Sequence, residues 1–158
     1  MTDIDIAQLA PDDWAAFRDL RLRALADAPD AFGSRLDDWA EAPEERWRDR
    51  LQNVQLNVIA RLGDEAVGMA SGVLDDDGAE LISMWVDPAV RGTGTARALI
   101  DAVVDWAHGL DRTTYLMVRS DNARAIAAYE RAGFVDLGVP EGHDGPPEHR
   151  MVHRGTAG

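Results

Sequence analysis

With 158 residues, 46% of them hydrophobic, the chain is sized for one globular domain whose core needs no disulfide or metal to hold it. Cysteine is absent, which excludes disulfides, thiolate zinc sites and cysteine nucleophiles. The 29 acidic residues outnumber 16 basic ones to give a formal charge of −13, a field that repels nucleic acid and favours cationic partners and solubility.

All 16 of those basic residues are arginine, which reads as coding bias and carries no function of its own. No apolar run approaches the roughly 20 residues a membrane helix needs. Met1–Ala10 lacks the basic start and apolar stretch of a signal peptide, so a soluble, cytoplasmic protein with no membrane partner is expected, as one domain over residues 1–158.

A short strand is predicted over Asp3–Leu9. Pro11-Asp12-Asp13 then opens a helix that puts Trp14, Phe17, Leu20, Leu22 and Leu25 largely on one stripe before Pro29 stops it. A second helix begins at Ala42-Pro43-Glu44-Glu45, with proline near its start and acids in its first turn, and carries Trp47 and Leu51. The period then changes to that of strands at Val58–Leu62, Ala66–Val73 and Glu80–Val86, separated by turns at Gly63-Asp64 and Asp75–Gly78. After Pro88 the pattern is helical again, with Leu99, Ala102, Val103 and Trp106 in step and an end near His108-Gly109. Thr113–Arg119 reads as a strand, Asn122–Ala132 as a helix, and Phe134–Gly138 and Glu148–Arg154 as final strands. Helices set around a mainly antiparallel sheet make an α+β domain.

The most informative stretch is Val86–Leu99, where a strand runs through a glycine-bearing loop into a helix. Free backbone N–H groups and the helix dipole converge there on one point, which suits an anion. Gly92 and Gly94 let the backbone approach a phosphate, Thr93 or Thr95 can add a hydroxyl, and Arg91 or Arg97 can add charge. A tight turn that simply needs small residues would read the same way. A Walker loop fails for want of lysine, and a dinucleotide fingerprint fails because Arg97 stands where a third small residue is required.

The stretch Arg91-Gly92-Thr93-Gly94-Thr95-Ala96 does resemble the Arg/Gln-x-x-Gly-x-Gly/Ala signature of GNAT acetyltransferases, and Asn122–Phe134 resembles the second coenzyme A motif of that family. The likeness spans roughly residues 56 to 139. It implies a GNAT-like α+β fold with a mixed, mainly antiparallel central sheet, flanked by helices and opened by a splayed strand pair that holds acetyl-CoA as cosubstrate. It also implies direct transfer of the acetyl group to an amine of a small molecule, peptide or protein. Many members pair through sheets or C-terminal strands, so a homodimer is compatible with the resemblance.

Asn122 stands at a helix start, and Tyr129 lies seven residues on, two turns along the same face. A plain cap and a half-buried aromatic explain them equally well on physical grounds. The resemblance gives Asn122 the pantetheine arm of the coenzyme and makes Tyr129 the acid that protonates the departing thiolate. On the strand Glu80–Val86, strict alternation would put Glu80, Ile82, Met84 and Val86 on one face. The resemblance sets the backbones of Met84 and Val86 beside the acetyl-pantetheine arm, the Met84 N–H polarising the thioester carbonyl, and matches Glu80 to a general base; solvent water is the alternative base.

Three histidines fall near the C-terminus, His143, His149 and His153. A metal site is not expected from them, because a third ligand and its supporting shell are not evident; His149 or His153 can instead join the acceptor pocket. Phe32, Trp39 and Trp47 are candidates for that pocket or for the core, and the acids Asp37-Asp38, Glu41 and Glu44-Glu45 read as a solvated helix face, with acceptor recognition as the alternative. Two other classes of function compete: a non-catalytic acyl-CoA-binding module, and an NADP-dependent oxidoreductase, which Arg97 opposes.

Overall fold

A computed structural model describes residues 4–27 and 39–154. In chain order the elements are β1 (Ile4–Gln8), α1 (Trp14–Asp27), α2 (Glu44–Asn53), β2 (Leu56–Leu62), β3 (Glu65–Asp75), β4 (Gly78–Val86), α3 (Thr95–Gly109), β5 (Thr114–Arg119), α4 (Ala123–Arg131), β6 (Phe134–Asp136) and β7 (Glu148–His153). A 3-10 turn at Pro11–Asp13 leads into α1, and the Asp13 carboxylate accepts the Ala10 N–H at 2.8 Å, satisfying a donor that no helical carbonyl reaches. Helix α2 gains from Glu44 and Glu45 at its positive end and from the Glu44–Arg48 pair at 2.7 Å, one turn apart.

The strands form one sheet in the order β1-β2-β3-β4-β5-β7-β6. Every neighbouring pair is antiparallel except β4 and β5. The β3–β4 hairpin closes because the Asp75 carboxylate accepts N–H bonds from Asp77 at 2.8 Å and Gly78 at 3.0 Å. The α+β class and mixed, mainly antiparallel sheet expected from the sequence are therefore present.

Alternation on the central strands divides the core in two. On β2, Leu56, Val58 and Ala60 face Leu99, Ile100 and Val103 of α3, while Ile59 faces Phe17, Leu20, Trp47 and Leu51 of α1 and α2. Gly72 of β3 is held small by this packing, since a Cβ there would meet the Trp106 ring at 2.6 Å. Trp47 is fully buried and Trp39 lies against it with ring centroids 4.7 Å apart, so of the candidate pocket aromatics these two belong to the α1–α2 core. Phe32 lies outside the described residues, as do Asp37 and Asp38, whereas Glu41, Glu44 and Glu45 are exposed to solvent.

Candidate functional site

The parallel pair β4–β5 holds register only at Ala79–Thr114 and Glu80–Tyr115, although β4 continues to Val86 and β5 to Arg119. Beyond that point the two strands part. Their divergence opens a cleft of about 1450 Å³, lined by Leu81–Val86 on one strand and Met117–Arg119 on the other.

A β-bulge sits on the β4 side of this opening. Met69 pairs with Trp85 and Ser71 with Ile82, so Ser83 and Met84 together stand opposite Ala70 and have no register partner on β3. Ser83 takes the left-handed backbone, at φ 56°, that this extra residue requires. The bulge corrects the expected alternation. Leu81, Met84 and Val86 pack with the α3 side of the core and Trp85 with the α1–α2 side, while Ser83 is bonded from α1 and α2. Glu80 is paired with Val73 and Ile82 with Ser71, so Glu80 lies on the α1–α2 face, opposite the Met84 and Val86 side chains. One inserted residue reversed the period-2 pattern, yet Glu80, Met84 and Val86 all line the cleft, because the wedge is open to both faces.

Helix α3 begins at the floor of the cleft. Gly92 and Gly94 have φ 84° and 89°, and a Cβ at either would meet no atom within 4 Å. Backbone conformation, together with open space above the loop, accounts for both glycines. Arg91, Gly92, Gly94, Ala96 and Arg97 line the cleft, so the loop's N–H groups and the positive end of a 15-residue helix are presented to it. The threonines are placed differently from the sequence expectation. Thr95 is 1% exposed and shares a 2.8 Å hydrogen bond with Thr93, whose hydroxyl also donates to the Val90 carbonyl, so both hydroxyls staple the loop and neither side chain lines the cleft. Arg97 bonds Asp101 at 3.0 Å and the Arg131 carbonyl at 3.1 Å, tying α3 to α4; Arg91 reaches Asp27 at 3.3 Å.

Asn122 caps α4, its Oδ1 accepting the Ala125 N–H at 3.2 Å, and also lines the cleft. Two turns on, Tyr129 faces the same space and packs edge-on against Phe134 at 5.7 Å. Its hydroxyl has no hydrogen-bond partner among the described residues, and burial raises its pKa well above the usual phenol range, so it holds its proton at neutral pH. Glu80 is half-buried. Desolvation first, then the Asp75 and Glu148 carboxylates, raise its pKa above the ordinary carboxyl value.

Residues that the sequence reading passed over complete the cleft. Arg21 of α1 and Arg50 of α2 line it, with Arg124 and Arg131 of α4 and Glu148 of β7. A signal for Arg21 was present in the sequence: it is a charged residue on the apolar stripe of Phe17, Leu20, Ala24 and Leu25, and it is 5% exposed. The histidines stand elsewhere. His149 bonds Asp136 at 2.8 Å, His153 bonds the Ala132 carbonyl at 3.1 Å and His143 bonds the Pro146 carbonyl at 2.9 Å; none lines the cleft, so the acceptor-pocket reading of His149 or His153 is corrected.

A family model described as "Acetyltransferase (GNAT) family" matches residues 14–134. Among curated proteins, a mycothiol acetyltransferase of Beutenbergia cavernae is 35% identical over 130 residues, covering 80% of this chain and 41% of the relative. The N-alpha-acetyltransferase RimI of Mycobacterium tuberculosis is 37% identical over 86 residues, covering 52% of this chain and 53% of the relative. The chain thus spans about half the length of these relatives or less. The PaiA N-acetyltransferase of Thermoplasma acidophilum, solved in complex with coenzyme A, superposes with a TM-score of 0.74 at 15% identity over 96% of this chain and 98% of that one, a likeness of fold.

Proposed function

The chain belongs to the GNAT acetyltransferase family, and from that premise we propose that it transfers an acetyl group from acetyl-CoA directly to an amine. The observation that carries the reading is the wedge itself: an anion-binding helix start, an unpartnered strand bulge and a proton-bearing tyrosine all open into one cleft.

The residues present fit the cosubstrate. Gly92–Ala96 offer backbone N–H groups and a helix dipole to its pyrophosphate, and Arg124 and Arg131 add positive charge around the same opening, with Arg91 and Arg97 each beside a carboxylate, in a protein of net charge −13. Bound acetyl-CoA supplies an activated acyl thioester. The Met84 N–H, at the bulge, donates to the oxygen on which charge develops, and Asn122 bonds the pantetheine arm. Glu80 or a water takes the proton that the amine gives up as nitrogen bonds the acetyl carbon, and Tyr129 delivers its proton to sulfur as the carbon–sulfur bond breaks. Placing Glu80 on the α1–α2 face supports an acceptor entering from that side, opposite the coenzyme.

Release of free thiol from acetyl-CoA, followed across a panel of amines, tests this reading, together with calorimetry of coenzyme A binding. Amine-dependent thiol release is expected. A protein that binds coenzyme A but acetylates nothing would be an acyl-CoA-binding module, and stabilisation by NADP in place of coenzyme A would favour the oxidoreductase.

A further inference from the structure

Acetyl transfer leaves unused a cluster of three polar groups of the cleft. Arg21, on α1, and Arg50, on α2, converge on a single hydroxyl: Arg21 Nη1 donates to Ser83 Oγ at 2.8 Å and Arg50 Nη2 donates to it at 3.1 Å. Both lone pairs of Ser83 are thereby filled, and its own proton, which has no acceptor among the described residues, is left to donate. The other hydrogen-bond partners of Arg50, Asn57 Oδ1 at 3.0 Å and Ser71 Oγ at 3.5 Å, are neutral, and among the described residues Arg50 forms no ion pair with a carboxylate. Arg21, Arg50 and Ser83 all line the cleft.

Such a cluster is rich in donors, and Arg50 has no carboxylate partner among the described residues. Two guanidiniums that share one hydroxyl repel one another and lose hydration, a cost that an anion bound beside Arg50 offsets. Burial lowers each to about 10, with the Arg50 charge adding to the effect on Arg21, yet both stay ionised at neutral pH. The planar fork of arginine matches a carboxylate, and the Ser83 hydroxyl adds another donor.

Position says what else the anion's carrier must have. Ser83 is adjacent in sequence to Met84, whose N–H marks the point of acetyl transfer in the function proposed above, so anion and reacting amine sit within about one residue's length. Glu80 and Glu148 line the same cleft farther along β4 and β7, on the side from which the amine would enter. We propose that the acceptor is an aminocarboxylate, with Arg21, Arg50 and the Ser83 hydroxyl binding the carboxylate and so holding the neighbouring amine at Met84. This inference rests on the acetyltransferase reading for the amine and on the arginine cluster for the carboxylate.

The test compares the twenty common amino acids with their α-carboxamides as acceptors for the full chain at saturating acetyl-CoA. The best amino acid should exceed its carboxamide by about 10- to 100-fold in kcat/KM, the range expected for hydrogen bonds to a charged group. Arg50→Gln should raise KM for the acid alone, leaving that for the carboxamide within about twofold, since only the acid uses the charge. Ser83→Gly, which keeps the left-handed backbone while removing the hydroxyl, should shift the acid in the same direction by less.

Equal use of acid and carboxamide, or equal loss for both in either variant, overturns the proposal. Thermal stabilisation of the acetyl-CoA-free protein by the same amino acids separates its fate from that of the enzyme. Stabilisation that Arg50→Gln abolishes, with no thiol released from acetyl-CoA by any amine, supports the anion site and sinks the acetyltransferase reading. Acetylation of amines without a carboxylate, with no binding or turnover of amino acids, does the reverse.

Discussion

The wall of the cleft formed by Arg91–Ala96 presents backbone N–H groups, whereas the wall formed by α1 and α2 presents side chains. On the first wall the N–H groups lie in one continuous loop, and their geometry follows from two glycines at positive φ. On the second, Arg21 and Arg50 meet Ser83 across sequence separations of 62 and 33 residues, through a bulge that only the paired strands define. A backbone site tolerates changes of side chain but not of conformation or free space. A side-chain site is the opposite: its chemistry changes with one residue while the fold that supports it stands.

The sharpest way to break that comparison is Gly94→Asp. Aspartate tolerates the left-handed backbone better than most residues, and no atom lies within 4 Å of the new Cβ, so the variant should fold. Its carboxylate would occupy the anion position. Calorimetry should find coenzyme A binding abolished in a variant that still folds, its melting temperature lowered by the cost of about 1–2 kcal/mol that a left-handed backbone carries; a folded variant with unchanged affinity would remove the pyrophosphate from this loop.

Next in size is Tyr129→Phe. The ring packing on Phe134 survives and only the proton donor is lost, so turnover should fall about 10²–10⁴-fold while acetyl-CoA affinity changes little. Near-normal turnover, with chemistry shown to limit the rate, would make Tyr129 a packing residue.

The same contrast explains what was legible in the sequence. Arg91–Ala96 and Asn122–Tyr129 are local, so spacing alone places their groups, and of the site residues expected in them all but the threonine side chains line the cleft. The boundary of every element from β2 to β7 likewise follows turn and cap signals within a few residues. Glu80 was placed on the wrong face because a strand's alternation is local only until a bulge, and the bulge depends on pairing with β3. Arg21 gives a sign in the sequence, a cation on an apolar stripe, and Arg50 gives none; what either does is legible only once Ser83, its long-range partner, is known.

Glu80→Gln should have a smaller effect than Tyr129→Phe, because water can replace a carboxylate base. With a strongly basic amine, turnover at neutral pH should fall and recover as alkaline solution supplies neutral amine. The carboxyl is an effective base only above its pKa, which desolvation raises, so the parent's activity should climb with pH through a limb above the usual carboxyl range, and the variant should lack that limb. Stability carries the matching sign. A raised folded-state pKa means that ionising Glu80 disfavours the fold as pH increases through the unfolded and then the folded value, so Glu80→Gln should melt no lower than the parent at neutral pH, any advantage fading in acid. An unchanged pH profile would pass the role of base to water.

The smallest expected effect belongs to Asn122, the one residue that joins backbone geometry to a side-chain contact. Its Oδ1 accepts the Ala125 N–H, which leaves the amide Nδ2 free to donate toward the pantetheine arm. Helix α4 has only nine residues, too few to be stable alone, so its cap matters. Asn122→Ala should cost about 1 kcal/mol in denaturant unfolding, the ordinary worth of an N-cap, and should weaken coenzyme A binding as well. Asn122→Asp separates the two contributions, because aspartate caps as well as asparagine and suits the positive end of the helix, but it has no N–H to give. That variant should keep the parent's stability and lose a few-fold in coenzyme A affinity, the scale of one neutral hydrogen bond. Full affinity in Asn122→Asp would reduce Asn122 to a cap, so that on this wall recognition would be left to the backbone and the charges around it.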